Sequence, residues 1–153
     1  MDYCILRYAN VYGPRQDPHG EAGVVAIFIQ KLLKGEQPVI NGDGKQTRDF
    51  VFVKDVVNAN VKALSFRGSE IFNIGTGKET DINFLFNELV RLTGSGCKEV
   101  HAPAKDGEQK RSVIDAAKAE KVLNWKPTVL FEDGLKETVE YFKESRVKSC
   151  YYS

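Results

Sequence analysis

Cysteine is scarce in this chain. Cys4, Cys97 and Cys150 are the only three in 153 residues. They are too few for a secreted disulfide scaffold and have no metal-site spacing, so free thiols in a reducing cytoplasm are expected. Long apolar runs are missing too. None approaches the ~18–20 residues of a membrane span. Met1-Asp2-Tyr3-Cys4 lacks the basic region and apolar core of a signal peptide. Excess charge of one sign is absent, with 22 Lys and Arg against 21 Asp and Glu. That balance gives no general electrostatic case for nucleic acid or a membrane surface as partner, and leaves room only for a local basic pocket. Gly-x-Ser-x-Gly, His-Glu-x-x-His and Walker loops do not occur, which removes the commonest nucleophile, zinc and P-loop readings. The two histidines, His19 and His101, have no ligand cluster around them in the sequence, so no metal is expected.

What is present is one domain's worth of globular chain. Hydrophobic residues are 42% and charged residues 28%, enough to bury a core without staples. Cys4 to Tyr8 reads as a largely buried strand. Buried strands of parallel sheets usually have neighbours earlier in the chain, so a preceding segment is expected. Residues 13–20 read as a loop and 22–34 as a mostly buried helix, with Gly35 as its C-terminal cap. Pro38-Val39-Ile40 reads as a short strand, Asn41 to Gly44 as a turn, and Thr47 to Val53 as extended. A helix is predicted over 54–64, with Asp55 at the positive end of its dipole. Ile71 to Ile74 follows as a strand. Thr80 is the expected N-cap of a helix over about 81–93. Glu99 to His101 is a short strand. Asp115 opens a short helix ending near Asn124, before Trp125-Lys126-Pro127. A final amphipathic helix carries Phe131, Leu135, Val139 and Phe142. Residues 1–146 form the domain and 147–153 an aperiodic tail. Strands alternate with helices, so the class is α/β.

Three segments invite functional readings. Ile71 to Gly77 followed by a helix has the outline of a dinucleotide turn, but Thr80 stands at the third glycine position and no acidic residue follows at the right distance. A tight turn plus a helix cap is the better reading. Arg48 and Asp49 are adjacent in an apolar extended run, so they face opposite ways and do different jobs. A half-buried arginine needs a protein carboxylate or a ligand phosphate. The loop Lys105 to Ser112 mixes both charges and by composition is a solvated surface.

Taken in order, five stretches resemble one family. They are Leu6 to Gln16 (LRYANVYGPRQ), Asn41 to Gly44 with Thr47 to Val56, Phe72 to Gly75, Pro103 to Asp115, and Leu123 to Pro127. The chain is identified by them as similar to the extended short-chain dehydrogenase/reductases, the NAD-dependent nucleotide-sugar epimerases and dehydratases, and among these to the UDP-glucose 4-epimerase branch. The resemblance runs over residues 2–144 and covers the family's C-terminal half. It implies the substrate-binding portion of an extended Rossmann-type epimerase, with remnant strands of the parallel nucleotide sheet. The family's Gly-rich cofactor turn and catalytic Tyr-x-x-x-Lys pair have no counterpart here. No catalytic residue is therefore carried over, and no NAD is expected to stay bound to this chain alone, although the full-length family uses it.

The resemblance also implies site roles. Ala9 lies near the nicotinamide of the cofactor, and Asn10 at the phosphate linkage of the nucleotide sugar. Val24, Val25 and Phe28 flank the nucleoside, and Val39, Ile40 and Asn41 lie along the uracil. Arg48 grips the diphosphate. Lys105 and Glu108 close over phosphates and ribose, with Ser112 nearby. Lys105 stands where the family usually has arginine, which keeps charge and loses the planar fork. The implied partners are a UDP-hexose and, through the exposed apolar strands, a second copy in a homo-oligomer. The rival expectations are a stand-alone, non-catalytic nucleotide-sugar-binding or assembly module, and part of a related 4,6-dehydratase.

Overall fold

The computed structural model describes residues 1–19 and 23–151. Its elements run β1 (Tyr3–Tyr8), β2 (Asn10–Tyr12), α1 (Val24–Lys34), β3 (Ile40–Asn41), β4 (Thr47–Arg48), β5 (Phe50–Phe52), α2 (Val53–Leu64), β6 (Ser69–Ile74), β7 (Thr80–Asp81), α3 (Ile82–Thr93), β8 (His101–Ala102), α4 (Ala117–Leu123) and α5 (Phe131–Tyr151). This is the expected α/β chain. The predicted start of α1 at residue 22 lies outside the described residues. The backbone of α5 continues to Tyr151, through most of the stretch read as a tail, and residues 152–153 lie outside the described ones.

The strands form four two-stranded units. β1–β6, β2–β5 and β3–β8 are parallel, and β4–β7 is antiparallel. β1 and β6 pair over their full lengths, from Tyr3 opposite Ser69 to Tyr8 opposite Ile74. The two longest strands thus pair with each other. One expectation about β1 is corrected. It is not largely buried: Tyr3, Ile5 and Tyr8 are 50%, 46% and 45% exposed, because β6 covers one edge and among the described residues no strand pairs with the other.

β5 divides the interior. Its three residues are all buried, and alternation sends their side chains to two sides. Phe50 and Phe52 join Tyr12, Phe28, Ile29, Phe86, Leu89 and Leu135 in a core built by α1, α3 and α5. Val51 turns to a second core with Phe72, Ile74, Leu123 and Trp125. At about 25 cal/mol per Å² of apolar surface, burial of aromatics of this size dominates the local stability.

The helix ends follow local chemistry. Gly35 closes α1 in the left-handed conformation at φ 75°, a position that costs glycine nothing. α3 corrects the sequence reading by one residue. Asp81, not Thr80, is its N-cap, and its carboxylate accepts the Phe84 amide at 2.8 Å. Thr80 is instead paired with Arg48 across β4–β7.

Candidate functional site: a cleft beside Arg48

The Gly75-Thr76-Gly77 turn is filled from within. The Asp49 carboxylate, 1% exposed, accepts the Thr76 amide at 2.9 Å, the Thr76 hydroxyl at 2.6 Å and the Gly77 amide at 3.0 Å. A Cβ on Gly75 would stand 2.7 Å from that carboxylate and 2.6 Å from Ile114, so the backbone reaches the anion only because residue 75 is glycine. Amides that could have held a phosphate are thus spent on a protein carboxylate, as the reading of a structural turn requires. Asp55 does a similar job. It is 3% exposed and accepts the Thr128 amide and hydroxyl and the Val129 amide at 2.8–3.2 Å. Its own carbonyl accepts from the Trp125 indole at 2.9 Å, which ties the 125–129 segment to the start of α2.

Arg48 faces the other way. Its Nη1 donates to the carbonyls of Thr47 and Gln109 at 2.8 and 2.7 Å, and its Nη2 lies 3.4 Å from Glu108 Oε1. The 103–112 segment therefore lies as a strap across β4. The Thr47 amide donates to the Lys110 carbonyl at 2.9 Å, and the Ser112 amide to the Thr47 carbonyl at 3.1 Å. The side chains from Lys105 to Ser112 stay mostly exposed, as their composition implies, while the backbone is paired. A charged loop orders when its backbone is paired and its charges meet opposite charges.

Between the strap and the Asn41–Gln46 turn lies a cleft of about 480 Å³, lined among others by Asn41, Lys45, Lys105, Glu108 and Lys110. That volume is in the range of small-ligand sites. The lining holds three lysines and three carboxylates, Asp43, Asp106 and Glu108, so the cationic surplus at the site comes from Arg48 behind Glu108. The turn is held by Gln46, whose side chain donates to the Asn41 carbonyl at 2.8 Å, and by His101, whose Nδ1 donates to the Gly42 carbonyl at 2.8 Å.

Four residues singled out in the sequence meet here. Asn41, Lys105 and Glu108 line the cleft, and Arg48 touches Glu108. Ser112 is anchored next to Arg48 through the Thr47 carbonyl. The others lie apart from the lining. Val24 is half-buried at the start of α1, and Val39 is 40% exposed. Val25, Phe28 and Ile40 belong to the core at 1%, 4% and 1% exposure. Phe28 meets Phe86 edge-on at 5.9 Å. A side chain surrounded by core has no face left for a ligand, so any role of these three in a site passes through their backbone or their packing. Ala9 and Asn10 are ladder residues, their amides donating to the carbonyls of Ile74 and Asp49 at 2.9 and 2.8 Å.

Sequence reading missed Lys45 and Lys110 as cleft residues, because exposed lysines carry no local signal. It also missed Glu79. The Glu79 carboxylate receives the Arg111 fork at 2.5–2.8 Å and the Thr47 hydroxyl at 2.7 Å. Hydrogen bonds from Arg111 and then Thr47 hold it below the ordinary carboxylate range. Tyr12 shows the opposite shift. Its hydroxyl donates to the Phe131 carbonyl at 3.2 Å, and burial, reinforced by Asp55, Glu132 and Asp133, pushes the phenol far above its usual value. Burial of this kind disfavours the charged form of a phenol. Among the described residues no cluster of three His, Cys, Asp or Glu could hold a metal ion, and no helix is long and apolar enough to cross a membrane.

Residues 1–75, which contain β1, β2, Arg48 and the Gly75 end of the turn, match the NAD dependent epimerase/dehydratase family. The chain belongs to the NAD-dependent epimerase/dehydratase family. A UDP-glucose 4-epimerase of Mycolicibacterium smegmatis is 48% identical over 144 residues, 94% of this chain and 46% of that protein. A UDP-N-acetyl-alpha-D-glucosaminuronate decarboxylase of Bacillus cytotoxicus is 37% identical over 94% of this chain and 47% of its own length. Among solved structures, the Thermotoga maritima UDP-glucose 4-epimerase with UDP-glucose superposes with a TM-score of 0.93 at 51% identity, over 95% of this chain and 47% of that one. The chain thus spans about half the length of the epimerase-family relatives it matches, and its fold is that of the corresponding half of an extended Rossmann-type epimerase. Within it the Thr76 and Gly77 amides are taken by Asp49, and the Ala9 amide by the Ile74 carbonyl.

Proposed function

We propose that this chain binds the nucleotide end of a UDP-hexose as the substrate-binding portion of a UDP-glucose 4-epimerase-like enzyme, and that it does not turn substrate over alone. The observation that carries the reading is a cleft lined by Asn41, Lys105 and Glu108, with the Arg48 guanidinium 3.4 Å from Glu108 behind that lining. A nucleoside diphosphate offers two charges that match a guanidinium and lysines, ribose hydroxyls that match a carboxylate, and a base that matches an amide. In this reading Arg48 and Lys105 hold the diphosphate, Glu108 the ribose and Asn41 the uracil. Asn10, Ser112, Val24 and Val39 border the ligand, while Val25, Phe28 and Ile40 shape the site from the core. Ala9 would meet the nicotinamide only where a cofactor-binding half is supplied. Binding energy on the nucleotide positions a sugar without touching its chemistry.

No tyrosine of the sequence is followed by lysine at the fourth position, which supports a binding role without turnover. The setting proposed is a reducing cytoplasm, consistent with the free thiols of Cys4 and Cys97. The exposed face of β1, with Val57, Val61 and Leu64 of α2 at 56–81% exposure, supports association with a second copy. The similarity to a decarboxylase favours assigning the substrate by its nucleotide more firmly than by its sugar.

Calorimetric titration of the full chain with UDP and UDP-glucose tests the proposal, together with an assay for epimerised product. Binding of both without product is the expected result. Turnover by the purified chain would remove the non-catalytic reading, and absence of binding would remove the cleft assignment.

A further inference from the structure

Among the described residues two side-chain ion pairs join the 103–112 strap to the body of the protein, and only one of them is Arg48–Glu108. The second is made by Glu79, which lies outside the cleft lining and has no part in the binding reading. Its carboxylate collects three groups from two segments. Arg111 Nε donates to both carboxylate oxygens at 2.8 Å, Arg111 Nη2 to Oε1 at 2.5 Å, and the Thr47 hydroxyl to Oε2 at 2.7 Å. Thr47 is also the residue through which the strap pairs with β4, by its amide to Lys110 and its carbonyl from Ser112. Arg48 follows directly, and its own guanidinium is braced on the Thr47 and Gln109 carbonyls. One exposed carboxylate thus grips both partners of the β4–strap pairing at the point where their register is set. A fork-to-carboxylate pair fixes orientation as well as distance, which a lysine pair would not.

We propose that Glu79 is a positioning residue for the cleft, holding Thr47 and Arg111 together so that Arg48 and Glu108 face the same space. Its action on ligand affinity rests on the nucleotide-binding reading above, whereas its action on the strap does not. Loss of the carboxylate frees Arg111 and the Thr47 hydroxyl, loosens the Thr47–Lys110 and Thr47–Ser112 bonds, and lets Lys105, Glu108 and Lys110 move away from Asn41 and Arg48.

The test uses the full chain with Glu79→Gln, Glu79→Asp, and the charge-exchanged pair Glu79→Arg with Arg111→Glu. Two readouts are taken: amide hydrogen exchange at Thr47 and Ser112, and UDP affinity by calorimetry. Glu79→Gln should speed exchange at both amides, leave core exchange at Leu85 and Leu89 unchanged, and weaken UDP about 3- to 5-fold, the scale of an exposed ion pair. Glu79→Asp should fall between it and the wild type, and the charge-exchanged pair should recover most of the affinity. Unchanged exchange at Thr47 and Ser112 in Glu79→Gln would overturn the proposal. A loss of affinity that the charge exchange does not recover would overturn it as well. If the wild type binds no UDP, the nucleotide reading fails, and the exchange rates alone still decide whether Glu79 positions the strap.

Discussion

Arg48 and Asp49 are neighbours in the chain and send their charges to opposite sides of the extended segment. The Asp49 carboxylate is enclosed by the Gly75–Gly77 turn, while the Arg48 guanidinium meets Glu108 at 3.4 Å across the strap. One charge closes the fold and the other serves the cleft. Strand alternation produces this split.

Arg48→Ala should weaken UDP binding by about 1.5–3 kcal/mol, the scale of a charged hydrogen bond. Lys105→Arg should not weaken it, since the planar fork adds bidentate geometry to the same charge. Calorimetry on the two variants measures both effects, and equal UDP affinity for wild type and Arg48→Ala would remove the phosphate role.

Glu108→Gln separates the two uses of Arg48. Without the carboxylate, the guanidinium loses its competing internal anion, so inorganic pyrophosphate should bind more tightly than to wild type. UDP should gain less, because its ribose loses an acceptor. Paired titrations with pyrophosphate and UDP give the contrast, and identical changes for both ligands would count against a ribose contact.

Asp49→Ala should cost about 2–4 kcal/mol of stability, because it leaves the Thr76 and Gly77 donors unpaired beside a buried space. Gly75→Ala should cost about 1–3 kcal/mol by overpacking against Ile114 and Asp49. Urea denaturation followed by tryptophan fluorescence reads both, since Trp125 lies in the adjoining core.

Acid should release the strap before it unfolds the core. The folded-state pKa of Glu79 is depressed, chiefly by hydrogen bonding from Arg111. Its contribution is therefore present above the ordinary glutamate pKa of 4.5 and is lost as pH falls through the lower folded value. Amide exchange at Ser112, corrected for intrinsic rates, should rise below that point while exchange at Leu89 stays slow.

The chain should self-associate. Among the described residues β1 has one unpaired edge, with Tyr3 and Ile5 exposed beside the apolar stripe of α2, and such edges pair readily. Sedimentation equilibrium at rising concentration should show a dimer or larger species. Replacing Ile5 and Val61 with lysine should shift it toward monomer. A monomer at all concentrations would show that this face stays bare.

Local chemistry was legible in the residues. Periodicity predicted the apolar faces of α1 and α5, turn residues placed the Asn41–Gly44 and Gly75–Gly77 turns, and the order of motifs indicated the family and the α/β class. The opposite facing of Arg48 and Asp49 followed from strand geometry alone. Three-dimensional proximity was not legible, because partners such as Asp49 and Thr76, Thr47 and Glu79, or Arg48 and Glu108 stand 27 to 60 residues apart, and no spacing rule links such positions. Only the tertiary structure showed that β5 separates two cores, that Ile40 is packed inside one of them, and that a charged loop lies paired across β4. Burial is a property of the assembled fold. The sequence by itself determined which residues could carry charge, cap or fill; the packing of β4, the strap and the 75–80 segment decided which of them meet.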